Sequence, residues 1–240
     1  WLHGAGPGAS GMDNFSANID SFSGFRNLVF DFPRYGKSDK PAVKEPLFSY
    51  NARQVIAALD TLGVKKATMI GNSMGGGTAL RMAVLRPELI ERLVLMGSAG
   101  AIPHGETLTP TLLMMIDALK NGATREKIRA IAVNMVYDPS LIKDELIERR
   151  YANAIDPETV ASAKDTLLAP ESVADDLHKI TAPTLVIWGR EDPVLPLRWA
   201  KDLTEKLPNA ETRIVPHCGH WVQLEQPEWF NRMLADFLTH

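Results

Sequence analysis

The chain has 240 residues, of which 45% are hydrophobic and 23% are charged, and its net charge is −3 at pH 7. This length allows one large α/β domain or a core with an inserted cap, and the hydrophobic fraction is ample for a buried core. A nucleic-acid partner would need a basic stripe, which this charge argues against. No apolar run approaches the ~20 residues of a membrane span, so we expect no membrane partner.

Cys218 is the only cysteine, so no internal disulfide exists and a reducing, cytoplasmic location is the default expectation. The chain begins with Trp1-Leu2-His3-Gly4, which reads as the end of a strand whose body would come before it. We therefore expect the natural N-terminus to lie further upstream, and the sequence leaves a targeting signal open.

The first hundred residues alternate between strand and helix patterns. Ser49 is the predicted N-cap of one helix, and Gly63 closes it. Strands alternating with helices indicate parallel strands in a sheet that is covered on both faces. The predicted elements are strands at 26–32, 66–70 and 92–97 and helices at 49–62 and 78–85.

The pattern changes between residues 101 and 180, where no strand run occurs and helical segments follow one another. We interpret 101–180 as a helical lid inserted in an α/β core made of residues 1–100 and 181–240. The helices of the lid are predicted at 110–121, 124–137, 141–154 and 157–168. The α/β alternation then resumes with a strand at 184–189, a helix at 197–207, a strand at 211–215 and a last helix from Pro227.

The most informative stretch is Gly71-Asn72-Ser73-Met74-Gly75, a G-x-S-x-G pattern between a strand and a helix. Such a turn holds its middle residue in a strained conformation, and the small residues at its ends let the two elements pack closely. The serine hydroxyl is then exposed at the C-terminal edge of a sheet. The pattern therefore predicts Ser73 as a nucleophile.

Other glycine-rich readings are excluded by single residues. Gly77 stands where a phosphate-binding loop needs its lysine, and Pro7 with Gly8 leaves no helix directly behind Gly4-Ala5-Gly6 to hold a dinucleotide. No cluster of metal-ligand residues is evident either. We therefore expect neither a cofactor nor a metal ion.

A nucleophilic serine needs a base to take its proton and a carboxylate to orient that base. In this fold class these groups occur in the order Ser, Asp, His, each in a loop after a strand. Asp192 follows the strand at 184–188, and His220 follows the strand at 211–215. Both positions match the expected order with Ser73.

Three residues compete for these roles. Glu191 and, more remotely, Asp31 are alternatives for the acid, and His217 is the alternative base. The pattern of Gly219-His220 followed by Glu225 favours His220. The remaining histidines are predicted to be surface or structural residues, and Cys218 to be an inert small residue; these histidines are His3, His104, His178 and His240.

Acyl chemistry also needs hydrogen-bond donors for the oxyanion. In an elbow of this type the donors are the backbone N–H after the nucleophile and one from the loop at the first strand. These positions predict the N–H groups of Met74 and Ala5 as the oxyanion hole. Each such donor is worth roughly 10²–10³ in rate.

These motifs together resemble the α/β-hydrolases that cleave carbon–carbon bonds in ring-fission products of aromatic degradation, the meta-cleavage product hydrolases. The resemblance runs the whole length and lies in Leu2-His3-Gly4-Ala5-Gly6-Pro7-Gly8-Ala9, Asn14-Phe15, Gly71-Asn72-Ser73-Met74-Gly75-Gly76, Trp188-Gly189-Arg190-Glu191-Asp192 and Cys218-Gly219-His220-Trp221. It implies a mostly parallel sheet with an inserted helical lid and an N-terminal hairpin, which we expect to lie upstream of Trp1.

The resemblance also implies the site. Ser73, Asp192 and His220 would form the triad, and Asn14, Asn72 and Trp221 would surround the dienoate part of the substrate. A lid arginine would hold the substrate carboxylate, and the matching position is Arg150, with the adjacent Arg149 as the alternative. Two positions depart from the family: Ala5 and Arg34 both stand where many relatives have glycine.

The implied reaction is hydrolysis of a small anionic 2-hydroxy-6-oxohexa-2,4-dienoate, through its keto form and attack of Ser73 at C6. An esterase on the same fold and a nearly inactive ligand-sensing protein are the alternatives. The sequence leaves open whether the chain forms a homo-oligomer. Candidate determinants of the C6 substituent, which could equally be plain core residues, are Met114, Met115, Ile116, Met135 and Val194.

Overall fold

The centre of the computed structural model, which describes residues 1–101, 107–167 and 171–239, is a sheet of four parallel strands. The strands lie side by side in chain order, and their bounds are β1 Ala67–Asn72, β2 Ile90–Met96, β3 Thr184–Gly189 and β4 Ala210–Val215. Parallel neighbours need crossover connections, and helices supply them here. The predicted parallel sheet is confirmed.

Ten α-helices lie in the described residues. They are α1 Gly11–Ile19, α2 Leu47–Thr61, α3 Met74–Leu85, α4 Pro110–Asn121, α5 Arg125–Met135, α6 Asp144–Ala154, α7 Pro157–Asp165, α8 Arg198–Lys206, α9 Val222–Glu225 and α10 Pro227–Thr239. The four helices α4 to α7 follow β2 without an intervening described strand, as the sequence predicts. The predicted end of α7 at Leu168, like His104 and His240, lies outside the described residues.

The two faces of the sheet carry different parts of the core, because successive residues of a strand point to opposite faces. Leu93 and Leu95 of β2 pack in the cluster that contains the apolar faces of α2, α3 and α8. Val94 and Met96 pack in a second cluster with Phe15 of α1 and with α10. Helices therefore cover both faces, and every residue of β3 is buried.

The strand predicted at 26–32 is wrong as a regular strand. Only Phe30 makes a β-bridge, with Leu2, and Leu2 also bridges to Gly71 of β1. Trp1 makes two backbone hydrogen bonds to this segment: Trp1 N donates to Leu28 O, and Phe30 N donates to Trp1 O. Too few ladder hydrogen bonds form here to hold a strand of seven residues.

The predicted N-cap at Ser49 is also wrong. Helix α2 begins at Leu47 with Pro46 at the cap position, so Ser49 lies inside the first turn. Its N–H and hydroxyl instead bind the carboxylate of Glu171, which satisfies the groups that a cap would have satisfied. The predicted closure is confirmed, because Gly63 has a φ of 69° and its N–H donates to Asp60 O.

The described helices are short or polar. None of them combines the length and the apolar character needed to cross a bilayer.

Candidate active site

Ser73 occupies a sharp turn between β1 and α3. Its φ of 54° and ψ of −114° lie outside the regions that non-glycine residues favour. Ser73 N donates to Met96 O at 2.9 Å, so the turn is tied to the end of the neighbouring strand. The helix begins at Met74, four residues before the predicted start at Thr78, and includes the three glycines that propensity alone would leave outside.

Those glycines are required by packing. A Cβ at Gly75 would lie 2.0 Å from Leu2 O, and one at Gly76 would lie 2.2 Å from Ser98 Oγ. A Cβ at Gly71 would lie 2.5 Å from the backbone of Gly75, across the turn. The start of α3 therefore lies closer to the sheet than a side chain at these positions would allow. Ser73 sits at the turn where the two elements meet.

His220 and Asp192 form a buried pair. Nδ1 of His220 lies 2.8 Å from Oδ2 of Asp192, and both side chains are almost completely inaccessible. The other carboxylate oxygen, Oδ1, accepts from the N–H groups of Val194 and Leu195 at 2.8 and 3.0 Å. Asp192 is thus fixed in position and can hold the imidazole in one orientation.

The backbone of His220 is held from two sides. Its N–H donates to Met135 O of α5 at 2.7 Å, and its carbonyl accepts from Nδ2 of Asn72 at 3.3 Å. Asn72 Nδ2 also donates to Met96 O. Because Asn72 directly precedes Ser73, one amide group connects the serine turn, the sheet and the histidine loop.

Glu225 braces the histidine loop from the other end. Its carboxylate accepts from the N–H groups of Gly219, Trp221 and Tyr137, at 3.0, 3.3 and 2.7 Å. Burial nevertheless raises the pKa of this carboxyl above its usual value, against the effect of those donors. The sequence pattern Gly-His followed by Glu contains this residue, and the structure shows that it orders the backbone around His220.

Gly97 leaves room for the pair. Its φ is 45°, and a Cβ there would lie 2.9 Å from His220 Nδ1 and 3.1 Å from Asp192 Oδ2. Gly97 follows Met96, to which Ser73 is bonded, so the serine turn and the pair meet at the C-terminal end of β2. Ser73 Oγ makes no hydrogen bond to a described residue; such contacts are often loose before substrate binds.

The loop after Leu2 provides the second predicted oxyanion donor. Gly4 N donates to Oδ1 of Asn14 at 3.1 Å, and a Cβ at Gly4 would lie 3.3 Å from Ser73 Cβ. The next N–H, that of Ala5, has no acceptor in the part of the chain that the structure describes. Met74 is the first residue of α3, where a helix has no preceding turn to receive its N–H.

His3 anchors the same loop. Its ring is fully buried, Nδ1 donates to Gly4 O at 2.7 Å, and Nε2 accepts from Phe32 N at 3.0 Å. Burial lowers the pKa of His3 to about 4, so the ring is neutral near pH 7. The predicted structural role of this residue agrees with these contacts.

Arg150 of α6 is buried against the same loop. It is 2% exposed, and its guanidinium makes no hydrogen bond and no ion pair with any described residue. The guanidinium carbon lies 4.9 Å from the centre of the Trp221 ring. Burial lowers the pKa of Arg150 to about 10, against the effect of the nearby Asp13 carboxylate, so the group is a cation at neutral pH that forms no ion pair with a described residue.

Arg149, the alternative, points elsewhere. Its Nε lies 2.8 Å from Asp13 Oδ1, and its side chain is 58% exposed. The two adjacent arginines therefore differ in environment: Arg149 is exposed and paired with Asp13, whereas Arg150 is buried and makes no hydrogen bond or ion pair with a described residue.

Several further donors near Ser73 lack acceptors. The indole N–H of Trp221 and the amide nitrogen of Asn14 donate to no described residue, whereas Asn72 uses its nitrogen within the protein and leaves Oδ1 buried and unpaired. The amide nitrogen of Asn72 thus positions the His220 loop, and its place beside the dienoate stays a prediction. A site rich in free donors suits a ligand rich in oxygen acceptors.

The competing acid and base residues are committed to other contacts. Asp31 accepts from Gly11 N and Lys37 N, Glu191 accepts from Cys218 N, and His217 lies on the surface with Nδ1 3.2 Å from the Tyr137 hydroxyl. Cys218 is buried, and burial raises the pKa of its thiol. A thiol with a raised pKa stays protonated and is a poor nucleophile, which agrees with the inert role predicted for Cys218.

The candidate C6 residues lie at two ends of the site. Val194 donates its N–H to Asp192, and Met135 contacts the His220 loop, so both lie at the imidazole end. Met115 lies at the end of the site that contains Arg150. A Cβ at Gly6 would be 3.5 Å from Met115 Cε and 3.5 Å from Arg150 Nη1. Met114 and Ile116 are only partly buried.

No group of three or more His, Cys, Asp or Glu side chains within the described ranges is arranged to hold a metal ion.

Comparison with known proteins agrees with this geometry. Residues 2–227 match the family model of the α/β-hydrolase fold, and the chain belongs to that fold family. It is 39% identical to a 2-hydroxy-6-oxononadienedioate/2-hydroxy-6-oxononatrienedioate hydrolase of a Pseudomonas species, over 99% of this chain and 86% of that protein. It is 37% identical to a 2-hydroxy-6-oxo-6-phenylhexa-2,4-dienoate hydrolase of Burkholderia cepacia, over 100% and 86%.

Solved structures give the same result. The meta-cleavage product hydrolase of Pseudomonas fluorescens IP01 superposes with a TM-score of 0.89 at 31% identity, over 99% of this chain and 88% of that one. The 2-hydroxy-6-oxo-6-phenylhexa-2,4-dienoate hydrolase of Rhodococcus sp. strain RHA1 gives 0.88 at 28%, over 100% and 89%. Within the α/β-hydrolase fold, the chain therefore belongs to the meta-cleavage product hydrolases.

Proposed function

We propose that the protein hydrolyses the C5–C6 bond of a 2-hydroxy-6-oxohexa-2,4-dienoate, with Ser73 as nucleophile, His220 as base and Asp192 as the group that orients it. The observation that carries this proposal is Arg150, whose buried guanidinium makes no hydrogen bond or ion pair with a described residue and whose helix packs on the loop of Gly6 and Gly8. A buried cation without a counter-ion is costly, and a bound carboxylate removes that cost. An esterase acting on neutral substrates would have no use for it.

The reaction begins at the substrate's enol. In the keto form a proton has moved from the 2-hydroxyl to C5, which gives C2 a carbonyl that can later accept electrons. Arg150 holds the C1 carboxylate, and the free donors of Asn14 and Trp221 face the oxygen-rich end of the molecule. Trp221 also stacks under the guanidinium, which keeps that cation in place.

Ser73 then attacks C6 while His220 Nε2 takes the hydroxyl proton. The new oxyanion is held by the N–H groups of Ala5 and Met74. Asp192 stabilises the imidazolium that forms at His220. Backbone donors carry this step, so the methyl group of Ala5 costs no hydrogen bond.

The C5–C6 bond breaks next. Its electron pair passes through C3=C4 to the oxygen on C2, which takes the proton from His220, and 2-hydroxypenta-2,4-dienoate leaves. Water then attacks the acyl group on Ser73, with His220 taking its proton and returning it to Oγ. The products are that dienoate and the carboxylic acid that carries the C6 substituent.

Residues 101–180 are proposed to act as the lid of this site, over a core of residues 1–100 and 181–240. Two contacts of the described helices support this role: α6 brings Arg150, and α5 supplies the carbonyl of Met135 that binds His220 N. Closure of the helical segment would thus complete the site and exclude water from it.

The test is the loss of visible absorbance of 2-hydroxy-6-oxo-6-phenylhexa-2,4-dienoate, compared with cleavage of p-nitrophenyl acetate. We expect kcat/KM for the dienoate to exceed that for the ester, and Ser73→Ala to lower dienoate turnover on the order of 10⁶-fold. Near-normal turnover by Ser73→Ala would refute the triad. Ester cleavage that far outpaces dienoate loss would favour an esterase, and tight binding with one slow turnover would favour a sensor.

A further inference from the structure

A cavity of about 290 Å³ lies between the loop of Gly6, Pro7 and Gly8, the turn at Arg34 and Tyr35, and the ends of α4, α6 and α7. Neither Ser73 nor His220 lines it. Gly6, which lines the cavity, also lies close to Arg150, since a Cβ at Gly6 would be 3.5 Å from Arg150 Nη1. The cavity is thus a neighbour of the candidate site on the side of its cation.

The charged groups of this cavity all have one sign. Arg34, Lys120 and Lys164 line it, and none of the described residues that line it is acidic. Its remaining surface includes Tyr35 and Val160, which offer apolar contacts. A ligand with a carboxylate at one end and a flat apolar body fits this combination.

Arg34 is the informative member. It is 6% exposed, its Nε donates to Ser162 Oγ at 3.2 Å, and its two other nitrogens bind no described residue. It also has a φ of 78°, a conformation that glycine adopts freely and that costs energy with a side chain. Two nitrogens of this largely buried cation, which has no carboxylate partner among the described residues, are therefore available to an anionic ligand in the cavity.

We propose that this cavity is an outer carboxylate site, in which Arg34 binds the carboxylate of the dienoate before the substrate reaches Arg150. The identity of the ligand rests on the proposed function, whereas the anion site rests only on the cavity and its cations. Gly6 lines the cavity of Arg34 and lies close to Arg150 Nη1, so the anion would find the two guanidinium groups one after the other. Local cations of this kind also raise the rate of encounter with an anionic substrate.

The first experiment measures binding without chemistry. The probe is benzoate, an aromatic carboxylate, with benzamide as its neutral analogue, titrated by calorimetry against Arg150→Gln, which removes the inner cation. We expect Arg150→Gln to bind benzoate and the double variant with Arg34→Gly to bind it at least tenfold more weakly. Equal benzoate binding by the two variants, or equal binding of benzamide, would overturn the site.

Arg34→Gly is a suitable variant, because glycine is favoured at this φ and Ser162 Oγ keeps its bond to Pro41 O. Its melting temperature should equal or exceed that of the parent. Lys206→Ala, at the end of α8 and remote from the cavity, removes the same charge and should leave benzoate binding unchanged. A loss of binding in Lys206→Ala would indicate a general charge effect and overturn the assignment to Arg34.

The second experiment tests passage of the substrate. We expect Arg34→Gly to lower the ratio of kcat/KM for the dienoate to that for p-nitrophenyl acetate about fivefold, less so at high salt. An unchanged ratio would overturn the proposal that Arg34 binds the substrate before Arg150 does. A wild-type protein that consumes no dienoate would refute the proposed function, whereas the benzoate comparison decides the anion site independently.

Discussion

The carbonyl oxygen of Arg150 packs directly on Gly8. A Cβ at Gly8 would lie 1.8 Å from that oxygen and 2.8 Å from Arg150 Cα, and Gly8 has a φ of 64°. Asn153, one turn further along α6, donates from Nδ2 to Gly8 O at 3.3 Å. The helix that carries the unpaired guanidinium is therefore seated on the same loop that carries the predicted oxyanion donor at Ala5.

Gly8→Ala should disturb both the Arg150 guanidinium and the predicted oxyanion donor at Ala5. We expect it to lower the free energy of unfolding by more than ~2 kcal/mol, because the new methyl group meets backbone atoms and the φ is unfavourable. Gly24→Ala is the matched control, since nothing lies within 4 Å of a Cβ there, and it should change stability by less than ~0.5 kcal/mol. Urea denaturation of both variants measures this; equal stabilities would contradict the packing described.

The two adjacent arginines offer a second comparison. Arg150→Gln should raise KM for the dienoate on the order of 100-fold, because it removes a buried charge-assisted contact to the carboxylate. Arg149→Gln removes the pair between an exposed guanidinium and the buried carboxylate of Asp13, away from the proposed carboxylate site, and should change KM less than about twofold. Steady-state kinetics on one dienoate decides between them, and similar effects of both changes would remove Arg150 from the proposed site.

Asn14 should act through the loop as well as on the substrate. Asn14→Ala removes the acceptor of Gly4 N, so we expect kcat for p-nitrophenyl acetate, which has no carboxylate, to fall about tenfold. Asn14→Asp keeps an oxygen at that position and should retain most of the ester activity. If both variants lose ester cleavage equally, the contact with Gly4 is not what matters.

His3 should make the protein sensitive to acid. Its pKa is about 4 in the folded state against about 6.5 when exposed, so the unfolded chain binds more protons between these values. Stability is therefore lost as the pH falls from 6.5 to 4, by up to about 3 kcal/mol, and stays low below that.

The measurement is the free energy of unfolding at several pH values. His3→Gln should be less stable at pH 7, since it cannot reproduce both ring contacts, but its stability should fall less steeply between pH 6.5 and 4. His178→Gln, at an exposed histidine, should follow the wild-type curve. A parallel slope for His3→Gln would show that His3 is not the group that titrates.

The sequence predicted well wherever local chemistry decides the structure. The G-x-S-x-G turn at Ser73, the loops of Asp192 and His220 and the helical run from α4 to α7 all follow from spacing and periodicity. The strand expected at 26–32 failed because a strand needs a neighbour to pair with, and Leu2 offers one bridge. Pairing of that kind is a property of the assembled sheet and not of the segment.

The candidate site was predictable in its residue types and less so in its contacts. Arg149 and Arg150 are indistinguishable by type, and only the packing of α6 shows which one is buried. Asn72 is of the residue type that the resemblance requires, but the sequence did not show that its amide nitrogen donates to His220 O and Met96 O. Arg34 was recognisable as a departure from glycine, but the cavity it lines depends on helices more than eighty residues away along the chain.

The hydrogen bond from His220 N to Met135 O links the position of the histidine loop to the position of helix α5. A shift of α5 by little more than an ångström lengthens that 2.7 Å contact beyond hydrogen-bonding range and frees one side of the histidine backbone. If α5 moves with the proposed lid, we expect the His220 loop to lose this one contact while its bonds to Asn72 and Asp192 remain.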